Sequence, residues 1–343
     1  MAERKIDPKL AALYDSGVFV YSISRANSID QCLYGAYLTY GKHIKGRQSV
    51  YGILGGEIHD ALESIVLGKA SEEILPSVVE DELLKADLAG IPFPSDSVRI
   101  NWQKDMSHFA KHFTCPNGTF QTEQLVLYPL KEKRWVQGYI DLIRIIDAEK
   151  KIVEVYDWKT STEFKKDDLL HHGRQLVFYA MALEREGYTV RKTAWIMLKY
   201  ALVSSPYLRR PKVIERRKIG DTLAPYFEKA LLEKGVSEIE ADVLIKKAKE
   251  DNEIPASIKD LFLVRPHVRP YDVTDELRRE CVNYLNHCAD IYEAGDLNDI
   301  DYWKPLSITK ENSFFCRVLC AHGETCPYLA DFLENKSSDE DLF

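Results

Sequence analysis

Two short runs carry residues able to do metal chemistry: Gly138-Tyr139-Ile140-Asp141 and Asp157-Trp158-Lys159-Thr160. Each lies in an apolar stretch, and the polar turn Asp147-Ala148-Glu149-Lys150-Lys151 joins them. Alternate side chains of a strand share a face, so Val155, Asp157 and Lys159 project together, with the acid and the amine about 6 to 7 Å apart. The turn brings the second run back antiparallel and lets Asp141 and Asp157 converge. Such carboxylates suit Mg²⁺ or Mn²⁺, which keep positions open for water and substrate phosphate oxygens. A metal so held activates water, and a lysine beside it orients that water or stabilises charge growing on a phosphate. The set therefore points to phosphodiester hydrolysis. The alternative is two edge-strand acids paired with Lys159 in a surface salt bridge.

Positioning these residues takes a sheet and its covering helices. Ile53, Leu54, Ile58, Ala61, Leu62, Ile65 and Val66 recur at helical spacing and predict an amphipathic helix over residues 49–68, with His59 on the border of its apolar stripe. A second helix is expected over 97–113, then a strand through 123–127. The strands of Asp141 (residues 135–146) and Asp157 follow. A helix over 167–185 carries Gln175 and Tyr179 on one face, and a strand over 193–203 closes a β-β-β-α-β order. That order predicts an α/β fold, a mixed central sheet flanked by helices. Charged helices over 221–251 read as an insertion, and a strand over 261–271 and a long helix over 274–294 resume the main body.

With 343 residues, 45% hydrophobic and 29% charged, the chain has the make-up of an ordinary globular protein with a sizeable core. No apolar run approaches the roughly 20 residues of a membrane span. The first seven residues lack the apolar core of a signal peptide, so the expected setting is cytoplasmic, without membrane. Seven cysteines, an odd number, argue for free thiols or metal ligands in a reducing compartment. The formal charge of −8 requires any phosphate-binding surface to be local. Its candidate is Arg209, Arg210, Lys212, Arg216, Arg217 and Lys218, which surround the single acid Glu215. For a charge run, a solvated loop is the commoner outcome.

Near the end, Cys316, Cys320 and Cys326 place three thiols within eleven residues. Thiolates so clustered suit zinc or an iron-sulfur cluster, and both ask for a fourth ligand. Cys32, after an extended run and at the start of a helix, is one candidate, and His322 is its rival. Three reduced cysteines in a terminal cap are the alternative, since Cys115, Cys281 and Cys288 are thiols anyway.

Taken in order, His59 on Gly55-Gly56-Glu57-Ile58-His59, then Gly138-Tyr139-Ile140-Asp141, Asp157-Trp158-Lys159-Thr160 and Gln175-Leu176-Val177-Phe178-Tyr179 resemble the RecB-type branch of the PD-(D/E)XK nucleases. The flanking cysteines, one early and three late, resemble its iron-sulfur members: AddB-type recombination nucleases, CRISPR-associated prespacer nucleases and phage exonucleases. The resemblance implies a restriction-endonuclease-like core with a C-terminal cysteine cluster. It implies that His59, Asp141 and Asp157 bind Mn²⁺ or Mg²⁺, that Lys159 is catalytic, and that Gln175 and Tyr179 assist at the DNA. It also implies a 4Fe-4S cluster on Cys32, Cys316, Cys320 and Cys326, with Zn²⁺ as the alternative. Glu123, on the strand before Asp141, is a further candidate to orient the attacking water. Three residues separate Cys316 from Cys320 where this pattern leads one to expect two.

The expected organisation is an N-terminal extension (1–20), a nuclease core (21–203), an inserted basic and helical element (204–260), a C-terminal part of the nuclease with the cysteines (261–330) and a disordered acidic tail (331–343). The expected activity is metal-dependent exonuclease action on DNA ends or single strands in recombination, repair or phage DNA metabolism. A non-catalytic DNA-binding scaffold and a structure-specific endonuclease are the alternatives. The tail, acidic and closing on Leu342 and Phe343, is a candidate dock for a recombination or replication protein.

Overall fold

The structure, a computed structural model, describes residues 6–91 and 93–340. A short helix α1 (Pro8–Asp15) leads into strand β1 (Phe19–Ser22) and helices α2 (Ile23–Gln31) and α3 (Leu33–Ala36). Three helices follow: α4 (Val50–Val66), α5 (Leu75–Leu88) and α6 (Asp96–His112). Ser49 starts α4 by accepting from the Gly52 N–H, and Ser95 starts α6 from the Val98 N–H. Each hydroxyl satisfies an amide that has no partner within its helix.

The sheet then forms from β2 (Thr119–Pro129), β3 (Arg134–Asp147) and β4 (Ile152–Lys159). Helix α7 (Leu169–Arg185) links β4 to β5 (Thr189–Ser204), which runs parallel to it. β3 is the spine, with β1 parallel to its first residues and β2 and β4 antiparallel to it. β5 carries β6 (Lys212–Glu215) and β7 (Leu263–Pro270), both antiparallel. The result is a mixed seven-stranded sheet. Between β6 and β7, helices α8 (Ile219–Glu233) and α9 (Glu238–Asp251) bury Phe227, Leu231 and Ala248 in a core of their own, shared with Ala201 and Val203 at the end of β5. Helices α10 (Asp275–Ala294) and α11 (Pro327–Glu340) complete the chain. Much of the expected acidic tail is thus helical backbone, and residues 341–343 lie outside the described residues. Among the described residues, no helix is long and apolar enough to cross a membrane.

Two cores sandwich the sheet. On one side Val136, Ile140 and Val155 meet Leu176 and Phe178 of α7 together with Leu285 of α10. On the other, Leu142, Tyr156 and Trp158 meet Leu54 and Leu62 of α4 and Trp102 of α6. Gly138 sets how closely α7 approaches β3: a Cβ there would come within 2.7 Å of Phe178 and 3.0 Å of Tyr179. Both rings are rooted in the core, so neither moves aside cheaply. Gly138→Ala is expected to destabilise the protein by about 1–3 kcal/mol, checked by urea unfolding; an unchanged midpoint would show that the packing here is loose.

Candidate active site

β3 and β4 pair from Asp147↔Ile152 down to Leu142↔Tyr156, and there the ladder stops. The next rung would join Asp141 to Asp157. Instead Asp141 Oδ2 accepts from the Trp158 backbone N–H at 3.0 Å, so a side chain substitutes for the ladder where the strands part. On the other flank, Thr122↔Leu142 and Gln124↔Ile140 place Glu123 opposite Asp141. Glu123, Asp141 and Asp157 therefore form one row across three adjacent strands.

The row coincides with a break in the pleat. Ile140 packs in the α7-side core, yet Leu142, two residues on, packs in the α4-side core. Regular alternation would keep both on one face. The residue opposite the break, Glu123, has φ +49°, in the left-handed region that a non-glycine residue seldom occupies. β2 switches faces with β3, since Phe120 lies in the α4-side core and Val126 in the α7-side core. Local strain at one residue thus turns two strands together and aims their acids into the fork.

Two helices supply the remaining groups. From α4, His59 brings Nδ1 to 3.5 Å from Asp141 Oδ2 and sets its ring edge against Trp158. Lys159 reaches back along β4 to Asp157 Oδ2 at 2.5 Å and donates to Gln175 Oε1 of α7 at 3.3 Å. Gln175 in turn donates to the Tyr179 hydroxyl at 2.8 Å, and that hydroxyl donates to the Tyr139 carbonyl at 2.5 Å. Gln175 and Tyr179 share a helix face as expected, but Tyr179 is 3% exposed and turned inward. Its contact is with the backbone next to Asp141, and the relay holds Lys159 in place. Beside the row opens a cavity of about 290 Å³ lined by Ser22, Ser24, Glu123, Asp141, Gln175 and Tyr179. The two serines lie where β1 meets α2.

Electrostatics set the acids apart from a surface salt bridge. Asp157 is 1% exposed, and its Oδ2 accepts no hydrogen bond of good geometry from the described residues. Burial, then the neighbouring Asp157 charge, holds the Asp141 carboxyl well above the ordinary carboxylate range. Burial works against the Lys159 charge, but Asp157 and Asp141 outweigh it and its ammonium is held more firmly than usual. Burial lowers His59, leaving its imidazole neutral and able to ligate. Lys159 already sits against Asp157 Oδ2, and a hard divalent ion is the kind of cation that buried carboxylates of this sort accept in its place. His59, Asp141 and Asp157 thus fit a divalent ion, although their ligand atoms do not all lie within 4.8 Å of one another while Lys159 and the Trp158 amide engage the acids.

The PD-(D/E)XK nuclease superfamily model matches residues 20–327, from β1 to the last cysteine. The chain belongs to the PD-(D/E)XK nuclease superfamily. It is accordingly a metal-dependent nuclease of mixed α/β fold, in a superfamily that uses divalent ions such as Mg²⁺ or Mn²⁺. A bound ion supplies the charge that activates water and draws charge from the phosphate.

Four of the six cations of the basic run are anchored by partners within the fold. Arg216 is 4% exposed, donates to the Leu198 carbonyl at 2.8 Å and stacks on Phe109. Arg217 pairs with buried Asp105 of α6 and with Glu215. Lys218 pairs with Glu215, and Lys212 donates to the Tyr226 hydroxyl at 2.9 Å. Only Arg209 and Arg210 of the six stay exposed without such an anchor. Arg216 and Arg217 instead serve as rivets between α6, β5 and the insertion, because guanidinium groups can spread a buried charge over several acceptors.

The cysteines behave differently from one another. All seven are free thiols. Cys281 and Cys288 are core residues whose thiols burial pushes up to about 12 and 11. Cys32 lies between α2 and α3 rather than after an extended run, and its Sγ accepts from the Gly35 N–H at 3.4 Å. Its thiol is pushed up to about 11 by burial and, in smaller part, by Cys320, Cys316 and Cys326. The four thiols are therefore near enough to interact electrostatically. His322, the rival ligand, is buried and spends one ring nitrogen on the Thr39 hydroxyl at 2.8 Å.

The raised Asp141 value fixes a sign. A carboxyl held above its ordinary value near 3.8 opposes folding when charged, so metal-free protein should gain stability as pH falls from neutrality through Asp141's own range towards 3.8. Asp141→Asn should flatten that gain and raise the metal-free unfolding temperature by about 2 °C per kcal/mol of repulsion removed. It should also abolish stabilisation by Mn²⁺. Thermal unfolding with and without Mn²⁺ checks all three; a variant that Mn²⁺ stabilises as much as wild type would exclude Asp141 as a ligand.

Proposed function

We propose that this nuclease is a deoxyribonuclease that hydrolyses phosphodiester bonds at DNA ends or in single strands, an exonuclease of recombination, repair or phage DNA metabolism. The observation that carries the reading is the row Glu123, Asp141 and Asp157 with Lys159 held at its edge, beside a cavity of about 290 Å³. In the proposed roles, His59, Asp141 and Asp157 hold Mg²⁺ or Mn²⁺, and Glu123 orients the attacking water. Lys159 keeps its proton, because Asp157 and Asp141 outweigh the effect of burial, and so acts on the phosphate as a cation. Gln175 and Tyr179 act through Lys159. Arg209 and Arg210, exposed at the start of the insertion, are left as the DNA-facing members of the basic run. Free cysteines throughout suit a reducing, cytoplasmic setting.

We further propose that Cys32, Cys316, Cys320 and Cys326 hold a 4Fe-4S cluster. The support for the cluster is that Cys32 interacts electrostatically with all three late cysteines. Purified protein carrying the cluster should be brown, with visible absorbance that bleaches on reduction. A colourless protein retaining one zinc per chain would remove the cluster.

DNA labelled at either end, single-stranded or duplex, tests the activity. The expected outcome is Mn²⁺- or Mg²⁺-dependent release of short labelled products from one end. Loss by about 10²–10³-fold or more is expected in Asp157→Ala and Lys159→Ala. Internal fragments appearing first would indicate an endonuclease, and DNA bound but uncut by all three proteins would indicate a scaffold.

A further inference from the structure

Outside the acid row, two histidines of α6 and one acid of the insertion come together without a role in the chemistry above. His108 and His112, one turn apart, bring their ring centroids to 4.4 Å with the rings tilted by 40°. Glu253 reaches them from the segment after α9, and one ligand atom from each of the three lies within 4.8 Å of the other two. His112 Nε2 is already 2.9 Å from Glu253 Oε1. Glu253 is placed firmly: Asn252, at φ +52°, ends α9 and is clasped by the Gly220 N–H at 3.0 Å and the Arg216 carbonyl at 2.7 Å.

An independent observation separates this trio from an ordinary ion pair. His108 is 9% exposed, and its Nδ1 has no hydrogen-bond partner among the described residues. A buried imidazole nitrogen left unmatched is unfavourable unless something fills its lone pair or takes its proton. Burial, then the His112 charge, also pushes His108 down to about 3, so the ring is neutral at physiological pH and able to ligate. Two imidazoles at helical i, i+4 spacing with one carboxylate are a donor set for a borderline divalent ion, and they leave a fourth position for water.

We infer that His108, His112 and Glu253 form a second metal site, of zinc type, which staples α6 to the inserted α8–α9 element and is independent of the acid row. Lys111, whose Nζ lies 2.6 Å from Glu253 Oε1, is the resident competitor for that carboxylate. Together with Arg216 it sets positive charge beside the ion. Metal binding therefore displaces the Lys111 ion pair, and the insertion is held more tightly when the site is filled.

The test uses the full chain, stripped with chelator and titrated with ZnCl₂, reading bound zinc per chain and the zinc-induced shift in unfolding temperature. Zinc can also enter the cysteines and the acid row, so Cys316→Ser and Asp157→Asn serve as controls that must keep the site. The expected result is that His112→Gln and Glu253→Gln each lose one zinc equivalent, with affinity weakened by more than about a hundredfold, beyond what removing an indirect partner of a ligand costs. Lys111→Ala should tighten binding, because it removes the competitor, whereas a simple structural ion pair would only weaken. Co²⁺ in the same site should give weak visible bands without the sulfur charge-transfer absorption of the cysteines. Should His112→Gln fail to fold, Glu253→Gln carries the test, since it keeps the shape and the hydrogen bond to His112. Zinc stoichiometry and thermal shift unchanged in Glu253→Gln, or affinity unchanged in Lys111→Ala, would overturn the proposal.

Discussion

Like charges held together in a buried fork are the constraint around which this molecule is arranged. Asp141 and Asp157 sit on the rung where β3 and β4 would otherwise continue to pair, and Glu123 stands beside them at a backbone conformation that opposes its own side chain. Left alone, such a row would protonate or pull the strands apart. Three features offset it: the Trp158 amide on Asp141, the Lys159 ammonium on Asp157, and a relay from α7 that fixes the ammonium. None neutralises the whole row. A fork of acids so arranged is chemically suited to a divalent ion, and it borders a cavity while the strands behind it are sealed on both faces.

That fork depends on two helices approaching from opposite faces of the sheet. α7 comes close because Gly138 carries no side chain, and α4 brings His59 over Trp158 on the other face. Glu123, Asp141 and Asp157 thus lie where the two cores would merge if the strands did not separate. The break in the pleat of β2 and β3 lets neighbouring residues address both cores within four positions. A regular strand would have pointed Asp141 away from one helix or the other.

The sequence was most legible where periodicity and local chemistry agreed. The helix around His59, the strand pair bearing Asp141 and Asp157, the helix of Gln175 and the order of elements all follow from apolar spacing, because each buries one clear face. Less legible were features that arise only between distant segments. Glu123's left-handed backbone leaves no mark in composition, and the Gln175–Tyr179 pair reads either as facing nucleic acid or as a helix surface with the aromatic packed on the sheet. The anchoring of the basic run was hidden for a definite reason. Charge density suggests solvent, yet Arg216 and Arg217 find a carbonyl and a buried aspartate that lie 18 and 112 residues away. A sequence window cannot contain such partners.

The cysteine lobe is joined to the acid row by a short mechanical path. The segment entering α4 lies on the loop between Cys320 and Cys326: the Arg47 N–H donates to the Ala321 carbonyl at 2.8 Å, and the Arg47 side chain pairs with Glu324. A Cβ on Gly46 would come within 2.6 Å of Ala321, so the two backbones touch with no room between them. Two residues after Arg47, Ser49 caps α4, and ten residues beyond that cap stands His59. The position of the thiol loop therefore fixes where α4 begins. A rigid helix passes that position to its far end, since its backbone hydrogen bonds and apolar face leave little freedom for independent movement. The contacts of Gly46 and Arg47 with the thiol loop thus tie an early segment of the chain to a late one, immediately before the helix that carries His59.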